Sequence, residues 1–161
     1  MAGVFGFPHP VNEKAARTVA AVVLATSVVA LATASYWLLI PLAYGFWARV
    51  LTGPKLSPLG RFAMKVAARR LGDPDYVPGP PKRFAQGMGA AITTAALVAW
   101  AVFGATGVAS ALLAMLVVAA GLESIFALCL GCKVFALLMR FGVIPDDVCA
   151  ECNNIWLRQA T

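Results

Sequence analysis

The feature that most constrains this chain is a long apolar run near its beginning. No charged residue occurs from Thr18 to Ala48. One straight helix over that run would be roughly 45 Å long at about 1.5 Å per residue, whereas the hydrocarbon core of a bilayer is about 30 Å thick. The run therefore predicts two membrane-crossing helices joined by a tight turn near residues 33–37, with Pro41 as a kink in the second helix.

The rest of the chain is similarly apolar. Hydrophobic residues make up 61% of its 161 residues, charged residues only 12%, and the mean hydropathy is +0.82. This composition indicates an integral membrane protein, with the lipid bilayer as its first partner. The net charge is +6, but the basic residues do not alternate with aromatic ones as in a nucleic-acid-binding surface, so no nucleic-acid partner is predicted.

Apolar periodicity and turn signals predict an all-α fold, an integral membrane four-helix bundle with a basic interfacial helix and a Cys-rich C-terminal segment. Ser57 as N-cap and Pro58 at the first helical position begin the interfacial helix. The proline-rich residues 72–82 are predicted to be extended, and Gly87, with a small residue four positions later, to let a neighbouring helix approach. The predicted segments are a leader (1–12), a membrane domain (13–142) with spans at 13–34, 36–51, 84–104 and 108–128, an interfacial helix (57–71) and a tail (143–161).

The distribution of basic residues predicts the topology. All 13 Lys and Arg residues lie at the start of the first span, between Arg49 and Arg83, or after Cys132, and the other two turns carry none. The positive-inside rule places these segments in the cytoplasm. The chain is therefore predicted to be a multi-pass protein of a bacterial cytoplasmic membrane, with both termini and every cysteine on the cytoplasmic side.

The chemistry that the sequence suggests is that of sulfur. Its four cysteines form two pairs, Cys129-x-x-Cys132 and Cys149-x-x-Cys152. Four thiolates at this spacing suit a structural zinc ion, the one cofactor that the sequence suggests. Thiol-disulfide exchange or sulfur relay is the second interpretation, and small cysteines buried in a helix bundle are the third.

The redox interpretation assigns different roles to the two pairs. Cys129 and Cys132 are predicted to continue the fourth span near its end, where the helix dipole raises the pKa of a thiol. If Asp146 caps a short helix, Cys149 lies in its first turn, where backbone N–H groups stabilise a thiolate. Cys149 is therefore predicted to be the attacking thiol and Cys152 the resolving thiol, with the upstream pair as exchange partner.

Glu123 is the one acid inside an apolar run. A buried carboxylate needs a partner, and Arg83 is the predicted one, with Lys82 and then Arg17 as alternatives. A proton acceptor for the thiols is the other interpretation, although the phase of one continuous helix would point Glu123 away from Cys129. His9 is the sole histidine and is expected to have no functional role. The sequence therefore predicts neither a catalytic triad nor a bis-His haem site.

Three segments resemble a known family: Gly53 to Pro58, Pro81 to Gly89, and Leu122 to Phe126 leading into Cys129-Leu-Gly-Cys132. They are similar to the bacterial membrane family of the domain of unknown function 4395, and the resemblance extends over residues 11–142. It implies a multi-pass membrane protein that is often encoded near, or fused to, thioredoxin-like or rhodanese-like modules. It does not extend to Cys149 and Cys152.

The sequence thus predicts a membrane-bound thiol-disulfide or sulfur-transfer protein, a persulfide relay, that works with a soluble thioredoxin-like or rhodanese-like partner. The alternative is a non-catalytic scaffold or subunit of a larger membrane complex, with one zinc bound by Cys129, Cys132, Cys149 and Cys152. A permease for a small sulfur compound is a third possibility, and it would need a wide polar cavity between the spans.

Overall fold

The computed structural model describes Phe7 and residues 9–149, apart from the side chains of residues 68 and 146. Within these residues the chain is mostly helical, as predicted. The elements are β1 (Val11–Asn12), α1 (Glu13–Ala32), a 3-10 helix (Tyr36–Leu38), α2 (Leu39–Thr52), α3 (Pro58–Arg70), β2 (Tyr76–Val77), α4 (Gly79–Ala101), α5 (Thr106–Phe126), α6 (Leu130–Arg140) and a second 3-10 helix (Asp146–Cys149).

A side-chain cap begins α1, and a left-handed residue follows its end. The Asn12 side chain accepts the Lys14 backbone N–H at 3.0 Å and so acts as the N-cap. After the helix ends at Ala32, Ala34 takes a left-handed backbone with φ of 51°. The chain therefore reverses within the predicted turn.

The second apolar segment differs from its prediction. It begins as the 3-10 helix and continues as α2, a helix of only 14 residues. Pro41 lies in the first turn of α2, where the backbone N–H has no partner within the helix, so a proline there needs no kink. The residues predicted as one span over 36–51 are thus helical, but in two pieces.

Among the residues that the structure describes, three helices are, by length and composition, suited to cross a membrane: α1, α4 and α5. α2 is too short to be counted with them. The three long apolar helices therefore agree with a membrane location.

The basic helix over residues 57–71 is found as α3. The Ser57 side chain accepts the Gly60 N–H at 3.1 Å, as expected of an N-cap. Ala63 and Ala67 are buried where α3 packs against α1, whereas Phe62 is exposed. The face of α3 that packs against α1 is therefore narrow.

Residues 72–82 are only partly extended. β2 pairs antiparallel with β1, Val11 opposite Val77, but α4 already begins at Gly79, five residues before the predicted start of the span. Two prolines follow Gly79 at the first helical positions, which lack N–H partners in any helix. The prolines therefore help to begin the helix that they were expected to exclude.

The helices pack as antiparallel neighbours: α1 with α5, α2 with α4, and α4 with α5. Near one end, Arg17 donates to the Ser124 carbonyl at 3.1 Å; at the other, the Tyr36 and Ser110 hydroxyls are 2.7 Å apart. The start of α1, the end of α2, the start of α4 and the end of α5 thus share one end of the molecule, called here the charged end.

Candidate thiol site

Cys129 and Cys132 lie at the beginning of a helix. α5 ends at Phe126 because Ala127 adopts a left-handed backbone with φ of 55°. Cys129 is then the N-cap of α6, and its Sγ accepts the Cys132 backbone N–H at 3.4 Å. The prediction that this pair continues a span, at the negative end of its dipole, is wrong. Cys129 instead faces the positive end of α6, which stabilises a thiolate.

Hydrogen bonding divides the two thiols into different roles. Both are free, Cys129 is only 7% exposed and Cys132 is half-buried. The thiol hydrogen bond from Cys132 lowers the pKa of Cys129; burial and the Glu123 carboxylate oppose this shift, and the Lys82 ammonium supports it. The same hydrogen bond, with burial, raises the pKa of Cys132. Of the two thiols, Cys129 is therefore the one whose ionised form its surroundings favour.

Lys82, not Arg83, is the partner of Glu123. The Lys82 Nζ lies 2.8 Å from the Glu123 Oε1, and both side chains are largely buried. Arg83 points elsewhere and donates to the Val50 carbonyl at 3.1 Å. The predicted pairing of Glu123 with Arg83 is therefore wrong, and the alternative Lys82 is correct.

The ion pair lies close to the thiols. Lys82 lines a groove of about 620 Å³ together with Cys129 and Cys132, and its charge acts on both thiols. The expectation that helical phase keeps Glu123 away from Cys129 assumed one continuous helix, and the break at Ala127 removes that assumption. The side chains of Glu123 and Cys129 both border a second, mostly apolar groove of about 670 Å³.

A close approach of two helices fixes the position of this pair. Gly131 lies between the two cysteines, and a Cβ added there would be 2.4 Å from the Ala85 Cβ and 2.5 Å from its Cα. Only glycine therefore lets α6 approach α4 so closely. Gly89 similarly receives the Phe46 ring, whereas Gly87 has nothing within 4 Å of an added Cβ. The helix approach predicted at Gly87 thus occurs at Gly89 and Gly131.

The downstream cysteine is in a different environment. Cys149 is the last residue of the 3-10 helix that starts at Asp146, so it is not in the first turn of a capped α-helix. It is buried against Phe135 and Met139 of α6 and is disulfide-bonded. Cys152 lies outside the described residues. Cys149 therefore lacks the helix position on which its assignment as the attacking thiol was based. The assignment of Cys152 as the resolving thiol stays a prediction.

Three of the four predicted zinc ligands, Cys129, Cys132 and Cys149, lie in the part of the chain that the structure describes, and they do not form one cluster there. No group of three or more His, Cys, Asp or Glu side chains there could hold a metal ion. Cys129 caps the start of α6, whereas Cys149 packs two to three turns further along that helix. The zinc hypothesis thus stays a prediction that also depends on Cys152.

Sequence reasoning missed a buried cation at the charged end. Arg49, at the end of the second apolar segment, is only 5% exposed. Its Nε donates to the Gln86 Oε1 at 2.7 Å, and its Nη1 donates to the Ser57 hydroxyl at 3.4 Å. A single arginine at the end of an apolar run has the same pattern as an interfacial anchor, so no sequence signal identifies it as buried.

His9 also has a structural role that was not predicted. Its Nδ1 accepts the backbone N–H of Gly79 at 3.1 Å. Gly79 is the first residue of α4, whose N–H groups have no partner within the helix. His9 thus caps the helix that carries Lys82.

A comparison with protein families matches residues 11–140 to the family described as Domain of unknown function (DUF4395). No curated protein and no solved structure matches the chain.

Proposed function

The chain belongs to the DUF4395 family, and we propose that it is a membrane-bound thiol protein. In this proposal Cys129 and Cys132 exchange a disulfide, or transfer a sulfane sulfur, with a soluble thioredoxin-like or rhodanese-like protein. The supporting observation is that Cys129 caps α6 with its thiolate form stabilised, beside a second free thiol and the Lys82 ammonium.

The proposed setting is a four-helix membrane bundle. The 3-10 helix and α2 together rise about 27 Å, close to the hydrocarbon thickness. They run along the length of α4, from the edge contact of Trp37 with Trp100 to the hydrogen bond between Arg83 and Val50. This antiparallel packing supports a fourth crossing beside the three candidate spans.

Four crossings place all basic segments on one side of the membrane, which the positive-inside rule makes the cytoplasmic side of a bacterial membrane. Both termini and the thiols would then be cytoplasmic. α6 follows α5 at the charged end, outside the candidate spans. A soluble partner could therefore reach the groove that holds Cys129 and Cys132.

The exchange reaction uses the two thiols in order. The Cys129 thiolate attacks one sulfur of the partner's disulfide, so that a mixed disulfide forms and the partner's other sulfur leaves as a thiolate. Cys132 then gives its proton to the partner's released thiolate and attacks the Cys129 sulfur, so the bond between Cys129 and the partner breaks and the partner's second sulfur leaves as a thiolate. That thiolate takes a proton from water, so the partner leaves as a dithiol and the Cys129–Cys132 disulfide has formed; the reverse sequence oxidises a partner.

Sulfur transfer would use the same first step. The Cys129 thiolate attacks the outer sulfur of a partner persulfide, which leaves a Cys129 persulfide and releases the partner's thiolate. A second thiolate acceptor then takes the outer sulfur and regenerates Cys129. Lys82 would support both reactions by stabilising the Cys129 thiolate before attack.

Trapping in cells tests this proposal. Cys132→Ser removes the resolving thiol and should accumulate a mixed disulfide or a persulfide on Cys129, while Cys129→Ser, the matched control, should trap nothing. Alkylation of the purified protein at pH 7 should modify Cys129 about tenfold faster than Cys132. Equal alkylation rates, together with identical trapping by both variants, would contradict the proposed role of Cys129.

A further inference from the structure

A further cavity, which shares Lys82 and Tyr76 with the thiol groove but is lined by neither Cys129 nor Cys132, lies at the charged end. It has a volume of about 130 Å³ and is enclosed by the first turns of α1, the connection between α2 and α3, and α3 itself. Its walls are apolar and include Ala16, Val19 and Met64. An apolar cavity of about 150 Å³ holds one benzene molecule, so this one could hold a short stretch of hydrocarbon chain.

The charges at this cavity are not balanced. Arg49 and Lys82 both line it, and no acidic side chain does. Glu123 forms its ion pair with Lys82 and reaches Arg49 only by longer-range attraction. Arg49 donates hydrogen bonds to two neutral groups, Gln86 and Ser57, and its guanidinium lies 4.7 Å from the centre of the Phe46 ring. Within residues 9–149 no carboxylate lies within 4.0 Å of the Arg49 guanidinium. The buried group of two cations and one acid thus has an excess positive charge.

Such an excess is costly unless an anion offsets it, because a buried charge loses its hydration. A guanidinium has five N–H donors, and the two hydrogen bonds of Arg49 use two of them. The planar fork of the remaining donors suits a carboxylate or a phosphate. The apolar walls favour a ligand whose anionic head carries a hydrocarbon chain.

We propose that this cavity binds an amphiphilic oxyanion, with its carboxylate or phosphate head on Arg49 and its chain against the walls formed by α1 and α3. Lys82 borders both this cavity and the thiol groove, but binding of the anionic head by Arg49 does not require the thiol chemistry. The head could belong to a free amphiphile or to an anionic lipid, since both present the same chemistry to Arg49.

Equilibrium dialysis with octanoate tests the proposal. The full chain is placed in nanodiscs of phosphatidylcholine, which has no net charge, and empty nanodiscs correct for partition into lipid. Octanoate should bind saturably, one molecule per chain, and octanol, which has the chain without the charge, should not. Arg49→Gln should weaken octanoate binding at least tenfold.

Ala16→Phe provides a test that keeps the cation. Its ring should fill the cavity and abolish octanoate binding, while unchanged Cys129 alkylation would show that the fold and the thiol site are intact. Nanodiscs containing phosphatidylglycerol identify the source: competition with octanoate means that a lipid head binds, and its absence means that a free amphiphile binds. Failure of the wild-type chain to bind octanoate saturably, or equal binding by Ala16→Phe, would overturn the proposal.

Discussion

Gly131→Ala tests how the thiol site is built. The added methyl group would lie 2.4 Å from the Ala85 Cβ, 2.5 Å from its Cα and 3.2 Å from its backbone nitrogen. Non-bonded carbon atoms are ordinarily about 3.5–4.0 Å apart, so α6 must move away from α4 by about 1 Å. Because two of these three Ala85 atoms belong to the backbone, no side-chain rotation can relieve the clash.

Overpacking of this kind typically costs about 1–3 kcal/mol, and the clash with backbone atoms places Gly131→Ala at the upper end, about 3 kcal/mol. The displacement also moves Cys129 away from Lys82, so the alkylation of Cys129 should slow. Chemical unfolding followed by circular dichroism measures the first effect, in a detergent without net charge. Mass spectrometry of alkylated Cys129 measures the second.

The matched control is Gly87→Ala, the same substitution at a helical position with nothing within 4 Å. It should be neutral or should stabilise the protein by up to about 1 kcal/mol, because alanine favours a helix more than glycine does. Ala85→Gly should rescue Gly131→Ala only in part, since it removes the methyl group at position 85 but leaves the backbone atoms that clash. If Gly131→Ala matches the wild type in both stability and alkylation, the close approach of α6 to α4 is refuted.

Four further predictions follow from the site and its setting. Glu123→Gln should lower the free energy of unfolding by about 3–5 kcal/mol, because it leaves Lys82 buried without its partner. Arg83→Met should lower it by less than about 1 kcal/mol, because Arg83 does not pair with Glu123. Equal losses of stability in the two variants would exclude the ion pair between Lys82 and Glu123. Relative to Glu123→Gln alone, the Lys82→Met, Glu123→Gln double variant should move the pH profile of Cys129 alkylation to higher pH, because the two variants differ only in the Lys82 ammonium, which lowers the pKa of Cys129; an unchanged profile would remove Lys82 from the proposed chemistry. Protein purified without chelators should contain less than one zinc per chain by elemental analysis, and one tightly held zinc with four unreactive thiols would favour the scaffold alternative. A membrane-impermeant maleimide should label Cys132 only after intact cells are lysed, and labelling from outside would reverse the proposed topology.

The sequence alone determined that α1, α3, α4 and α5 are helices, and it determined the charged end. Apolar runs of the right length are sufficient for α1, α4 and α5, since helical hydrogen bonds within a segment do not depend on the rest of the fold. Asn12 and Ser57 fixed two helix starts by local capping, which depends only on residues nearby in sequence. The prolines at the start of α4 showed the limit of composition, because their effect depends on their position in the helix.

The tertiary structure decided what the candidate site is. Lys82 and Arg83 are neighbours in sequence, about 100° apart around α4, and only the packing of α4 against α5 determines which of them meets Glu123. Ala127 carries no sequence signal for the left-handed backbone that ends α5, since that conformation is usually taken by glycine. The position of Cys129, at the end of one helix or at the beginning of another, therefore depended on interactions between residues far apart in the chain. That position in turn decides whether the thiolate form of Cys129 is disfavoured or stabilised.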